Sequence, residues 1–230
     1  STFAPYSHLI HTISTHCKKS QARTGVCAPF WTYARSATIF SGMPQDARIK
    51  FLNDVAVPSA PAVVYWMQAS VRAAYNHALE YALHVANHRS QPLHVIFCLT
   101  PTYPDANLRH YRFLLEGLAD VANSLNTRGV GFTVWLGDPL NVVDGIGESA
   151  STVVVDRGYL RHQRAWRREL ARRARYPVVQ VESNVVVPVE TVSAKEEYSA
   201  ATIRRKIHSQ WDQFLVPIQT VTPRAGNPGE

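Results

Sequence analysis

The chain has 230 residues, 46% hydrophobic and 18% charged, with a formal charge of +7 at pH 7. This composition suits one packed domain with tails and excludes both a disordered chain and two full domains. No apolar run approaches the roughly 20 residues of a spanning helix, since the longest, Ala60 to Met67, is short and contains Pro61. The positive balance favours an acidic partner, whether nucleic acid, anionic lipid or an acidic protein face.

Residues 1–45 contain no Asp or Glu but carry Lys18, Lys19, Arg23 and Arg35 among many Ser and Thr. An acid-poor, basic, hydroxyl-rich N-terminus resembles an organelle presequence, which sets the expected compartment as mitochondrial, with another organelle or the nucleus as alternatives. This segment has little periodicity, and the C-terminal stretch 218–230 is punctuated by Pro223, Gly226, Pro228 and Gly229. Both tails are therefore expected to be held by other protein subunits of a large assembly, leaving residues 46–217 as the folded domain.

Within that domain strands and helices alternate. Val63 to Met67 reads as a short buried strand after Pro58 and Pro61, and Val71 to Asn87 as a helix with Ala74, Ala78, Tyr81, Leu83 and Val85 on an apolar stripe. Leu93 to Leu99 is a continuous apolar run, as a parallel strand covered on both faces requires. Leu108 to Thr127 is a helix stopped by Gly129, followed by a strand at Gly131 to Leu136 and a shorter helix from about Pro139 to Glu148. Thr152 to Asp156 is the fourth strand, Leu160 to Arg175 a helix, Val178 to Val181 the fifth strand, and a last helix begins after Ser193 and runs to about Phe214. The expected fold is α/β: a doubly wound, five-stranded parallel sheet with irregular extensions at both ends.

The order of short motifs resembles the class II cyclobutane-dimer photolyases. The likeness begins at Arg48-Ile49-Lys50-Phe51-Leu52-Asn53 and continues through Val63-Val64-Tyr65-Trp66-Met67, Asn76, Ala78-Leu79 and Val95 to Leu99. It goes on through Arg109 to Leu118, Gly137-Asp138-Pro139 and, most specifically, Asn184 to Val189 with Ser193, Lys195, Glu197 to Ala200 and Thr202 to Ile207. The resemblance implies a Rossmann-like N-terminal domain that serves as a scaffold and can host an antenna pigment. Flavin, lesion pocket and electron-transfer tryptophans belong, by the same resemblance, to a following helical domain, and no position here receives those residues.

Departures from the family pattern shape the functional expectation. Where relatives carry Arg-Asp-x-Arg and then Asp-Asn-Trp-Ala-Leu, this chain reads Ala69-Ser70-Val71-Arg72 and Tyr75-Asn76-His77-Ala78-Leu79, and near Val181 it reads Glu182-Ser183-Asn184. Loss of polar residues at the mouth of the sheet, where open α/β folds bind ligands, points to a non-catalytic, photolyase-derived accessory subunit of a mitochondrial assembly such as a respiratory complex or mitoribosome. The alternatives are the N-terminal half of a working deoxyribodipyrimidine photolyase and a nucleic-acid-binding module.

Among chemical candidates, no catalytic, cofactor-binding or metal-binding residue is assigned. Asp156 at a strand end fits a cap on the next helix better than a catalytic acid. Cys98 reads as a buried free thiol. Cys17 and Cys27, near His8, His11 and His16, match no tight zinc spacing, and His84 with His88 lack an accompanying Glu. One pattern rises above background: Arg161, Arg164, Arg168, Arg172 and Arg175 recur every three or four residues, flanked by Arg167 and Arg173, with Trp166 and Leu170 on the opposite side. Like charges at that spacing repel, so the stripe is a candidate contact for RNA or other phosphates, an acidic protein or an anionic lipid surface, weighed against a solvated helix face.

Overall fold

A computed structural model describes residues 43–225. The order of elements is β1 (Ile49–Phe51), β2 (Ala62–Met67), α1 (His77–His88), β3 (Leu93–Leu99), α2 (Leu108–Thr127), β4 (Gly131–Leu136), α3 (Pro139–Gly147), β5 (Ala150–Asp156), α4 (Arg161–Arg173), β6 (Val178–Val181), α5 (Val189–Val192), α6 (Ala200–His208) and α7 (Trp211–Phe214). The strands form one sheet in the order β1-β6-β5-β2-β3-β4. Strands β2 to β6 pair in parallel, as their apolar runs predict, while β1 pairs antiparallel with β6 through Ile49↔Val181 and Phe51↔Val179. The sheet therefore has six strands rather than the expected five. The three-residue edge strand is too short to carry a legible alternation.

Chain order explains the site. From the central β2 the chain winds outward through β3 and β4, then returns to place β5 on the other side of β2 and continues to β6. The direction of winding reverses between β2 and β5, so the carboxyl ends of those strands open a crevice. One face of the sheet packs α1 and part of α2 through Val63, Tyr65, Leu79, Leu83, Val95, Val121 and Leu125. The other packs α3 and α4 through Trp66, Ile96, Val153, Val155, Leu170 and Tyr176.

Helix ends are set by side chains. Helix α1 begins at His77, six residues later than expected, because Tyr75 takes a left-handed turn (φ 51) and the Asn76 side chain accepts the backbone N–H groups of Ala78 and Leu79. At the end of α2, Gly129 (φ 71) lets its own N–H reach the Asn126 carbonyl and the Val130 N–H reach the Leu125 carbonyl. The expected last helix divides into α6 and α7. Ser199 caps α6, and a break at Ser209–Gln210 turns Phe214 into a small core with Val187, Val192, Ile203 and Ile207.

The C-terminal segment, expected to reach other subunits, lies in its described part along α1 of its own chain. The buried Glu80 carboxylate accepts the Val221 N–H (2.8 Å) and pairs with Arg128 (3.0 Å), while Asn87 bonds both Thr222 and Arg224. The basic stretch 1–42 lies outside the described residues.

His77 at the start of α1 is held to a pKa of about 4, first by burial and then by the charges of Arg48 and Arg72, and burial also lowers His94 on β3. Between that value and the unfolded pKa of 6.5 the unfolded chain takes up protons that the folded chain does not, so stability is complete above the window and falls on acidification. Urea midpoints measured from about pH 7 to about pH 5 should fall, and fall less in His77→Gln. A midpoint independent of pH across that range would contradict the assignment.

Candidate functional site

The crevice between β2 and β5 is filled by a side chain of the protein itself. Asp156, the last residue of β5, is 1% exposed. Its Oδ2 accepts the backbone N–H groups of Gln68 (2.9 Å), Ala69 (2.9 Å) and Ser70 (2.8 Å), and its Oδ1 accepts the Tyr65 hydroxyl at 2.7 Å. Three convergent N–H groups after a strand make the concavity that binds a phosphate in nucleotide folds. Here a carboxylate occupies it. The expected cap on the next helix is thus a clamp on the β2–α1 loop instead, and Leu160 precedes α4 with no side-chain oxygen to offer.

Around this clamp the polar network is dense. Asn76 donates to the Tyr65 hydroxyl (3.0 Å) and to the carbonyls of Ser70 and Arg72. Asn184 joins Ser70, Arg72 and Ala69, and the Ser183 hydroxyl accepts the Ala78 N–H. Buried Arg48 donates to the carbonyls of Glu182, Val185 and Val186. The mouth expected to be eroded is therefore rebuilt from the substituted residues Ser70, Ser183 and Asn184 together with Asn76 and Arg72.

With the crevice plugged, the open cavity lies over the ends of β2 and β3. It measures about 440 Å³ and is bounded by Trp66, Gln68, Phe97 to Thr100, Tyr103, His110, Tyr111 and Trp166. Two of its wall residues, Tyr103 and Trp166, are joined through the edge-on His162 ring, at 4.8 Å from Tyr103 and 5.0 Å from Trp166, with the His162 Nε2 and Tyr103 hydroxyl 2.8 Å apart. Tyr111 fixes the β3–α2 loop by donating to the Thr100 carbonyl (2.7 Å). Cys98, expected to be a buried thiol, is one, its pKa pushed up to about 12 by burial and then by Asp138. Gln68 carries the specific signal: its Oε1 and Nε2 are both buried with no hydrogen-bond partner among the described residues. A buried carboxamide lacking both partners is costly. It offers one donor and one acceptor to a ligand whose edge has the reverse pair, and a cavity of this size with aromatic walls suits a planar heteroaromatic ring system.

The arginine stripe divides. Arg164 and Arg168 face a second, open hollow on the other flank of α4, together with Arg172. Arg172 is engaged by Glu169 (2.7 Å), which it shares with Arg173. Arg161 and Arg175 are exposed outside the hollow. Arg167, expected to flank the stripe, is buried and bonds Gln180 (3.0 Å). Trp166 and Leu170 point into the core, as the spacing predicts. His84 and His88 border a shallow hollow closed by the C-terminal segment. Among the described residues no group of three His, Cys, Asp or Glu side chains is placed to hold a metal ion, and no helix is long and apolar enough to cross a membrane. Cys17, Cys27 and the histidines beside them lie outside the described residues.

A family model for DNA photolyase matches residues 63–228. A deoxyribodipyrimidine photo-lyase of Methanothermobacter thermautotrophicus is 51% identical over 160 residues, covering 70% of this chain and 36% of the relative. Its counterpart in Potorous tridactylus is 37% identical over 164 residues, covering 70% of this chain and 31% of the relative. The chain thus spans about a third of the length of the curated relatives it matches. Among solved structures, a photolyase from Sulfolobus tokodaii, described with two FAD molecules and an implied light-harvesting cofactor, superposes with a TM-score of 0.55 at 14% identity, covering 72% of this chain and 37% of that one. A class III photolyase from Agrobacterium tumefaciens gives 0.51 at 18% identity, covering 74% of this chain and 38% of that one. These last two likenesses concern the fold. The expectation of a non-catalytic accessory subunit in a mitochondrial assembly, a pseudoenzyme, is overturned by these relatives. The residues that prompted it are substitutions inside an intact polar network, in a segment of 160 residues that is 51% identical to a deoxyribodipyrimidine photo-lyase.

The clamp gives a direct expectation. Asp156→Ala strands three loop N–H groups and the Tyr65 hydroxyl in the interior, which should lower unfolding free energy by about 3 kcal/mol or more. Chemical denaturation of the variant measures this, and a loss under about 1 kcal/mol would show that the loop stands without the carboxylate.

Proposed function

The chain belongs to the DNA photolyase family, and from that premise we propose that it is the N-terminal α/β domain of a deoxyribodipyrimidine photolyase, of class II by its motifs, whose mouth cavity seats a planar antenna pigment. The identity to two deoxyribodipyrimidine photo-lyases supports the first part. The observation that carries the second is Gln68, whose unpartnered carboxamide borders an aromatic cavity.

The chain's own residues have distinct tasks in this reading. Trp66, Phe97, Tyr103 and Trp166 bound a slot that excludes water from a ring. Gln68 fixes the ring's rotation by reading its polar edge. The Asp156 clamp holds the Gln68 backbone still, so that the carboxamide is positioned before the ligand arrives. A bound pigment would supply absorbed light energy to flavin chemistry in the domain that, by the resemblance, follows this one.

The test uses a flavin as the probe, because its ring carries adjacent carbonyl and N–H groups. Riboflavin titrated into the chain should quench tryptophan fluorescence with a dissociation constant on the order of micromolar, and Gln68→Leu should weaken binding about tenfold, the equivalent of ~1.4 kcal/mol. Failure to quench, or equal affinity in the two proteins, would remove the pigment reading.

A further inference from the structure

The hollow on the outer flank of α4 is a strongly basic groove. It measures about 790 Å³ and is lined by Lys50, Arg157, Arg164, Arg167, Arg168 and Arg172, with Glu190 the one carboxylate among its lining residues. Its existence follows from the topology. Helix α4 covers β5 and β6, but the edge strand β1 extends the sheet beyond the helix, so that Lys50 and Gln180, paired in register, form the floor.

The charges in the groove are unevenly compensated. Lys50 and Arg157 share Glu190 at 3.1 and 3.2 Å, and Arg157 also pairs with buried Glu182. Arg172 is held by Glu169. Arg167 has no carboxylate partner among the described residues although only 7% of its surface is exposed: it bonds the neutral Gln180 side chain and the Gln163 carbonyl. Burial, and then the repulsion of Arg157 and Arg164, pull its pKa down to about 10. Arg164 and Arg168, one helical turn apart and exposed, have no hydrogen bond or ion pair to any described side chain. A guanidinium buried without a counter-ion, beside two more with none, is destabilising by itself. A bound anion removes that cost.

We propose that this groove is a track for the phosphodiester backbone of nucleic acid. Guanidinium forks match phosphate oxygens bidentately. The unpaired cations are spaced along the helix, and Arg161 and Arg175 continue the positive line past both ends of the groove, as a linear polyanion requires. An acidic protein segment would need a cluster of apolar anchors as well, and beyond the Tyr159 ring at one end the groove offers Leu52, Ala171 and Val189. Tyr159 at its end presents a half-exposed ring to a base or sugar. The track goes beyond the pigment reading and does not depend on it, because Gln163 and Trp166 face the pigment cavity while Arg164 and Arg168 face away on the other flank of the same helix.

Fluorescence anisotropy of the full 230-residue chain with labelled, undamaged duplex DNA tests it across a salt series. Arg164→Gln/Arg168→Gln removes two phosphate contacts and should shallow the slope of log K against log[salt] by about 1.8, with binding at low salt weakened at least tenfold. Arg204→Gln/Arg205→Gln, an equal charge loss on exposed positions of α6, should shift affinity less than twofold. A slope unchanged by the groove pair overturns the proposal, as does an equal loss from the α6 pair, which would mean net charge alone. Polyglutamate binding the groove in preference to DNA would overturn it in favour of an acidic protein. Riboflavin binding reports separately on the mouth cavity, so that failure of one reading leaves the other standing.

Discussion

The structure turns on one carboxylate. Strands β2 and β5 diverge in their onward connections, and parallel strands leave unpaired backbone groups at their carboxyl ends that must be satisfied. Asp156 satisfies three of them at once and holds the Tyr65 hydroxyl from below. Its negative charge and the neighbouring interior push the Tyr65 phenol well above its ordinary pKa, burial first and Asp156 next, so the hydroxyl stays protonated as a donor. The loop so fixed carries Gln68 to one side and Ser70, with Asn76 and Asn184, to the other. Both the aromatic cavity and the polar mouth inherit their geometry from this plug.

Helix α4 is the second organising element. Its apolar side, Trp166 and Leu170, seals the core and one wall of the aromatic cavity. Its basic side forms the groove over the edge of the sheet. One helix thus separates a slot suited to a neutral planar ring from a surface suited to a chain of phosphates. The two chemistries need opposite environments, dry and aromatic against wet and cationic, and 3.6 residues per turn is what allows a single element to serve both.

Much of this was legible in the sequence, and the boundary has physical causes. Strands β2, β3 and β5 announce themselves because a strand covered on both faces must be apolar throughout, and Gly129 marks a helix end because only glycine takes its φ cheaply. Strand β1 left no such trace: three residues on an edge, with Lys50 turned to the groove, look like any loop. Asp156 was visible as an acid at a strand end, but its partners lie 86 to 91 residues away in sequence, where local reasoning favours the nearer helix. Of the arginine stripe, Arg161, Arg164, Arg168 and Arg172 lie on α4 while Arg175 falls past its end, and periodicity does not tell where the neighbouring strand ends. Arg167 is therefore buried, and Arg161 and Arg175 fall outside the groove. Gln68 had no signal at all, since a lone Gln after a strand carries none until its burial is known. The substitutions at Ser70, Ser183 and Asn184 looked like decay when compared position by position, and become a working network once they are seen to bond one another.

The clamp is most directly tested by native-state hydrogen exchange at the amides of Gln68, Ala69 and Ser70. Loop amides ordinarily exchange by small local openings. If the Asp156 carboxylate holds these three, they should exchange as slowly as the amides of the central strand β2, opening only when the sheet itself opens. Exchange at the rate of an ordinary surface loop would contradict the account, and the preformed cavity beside Gln68 would go with it.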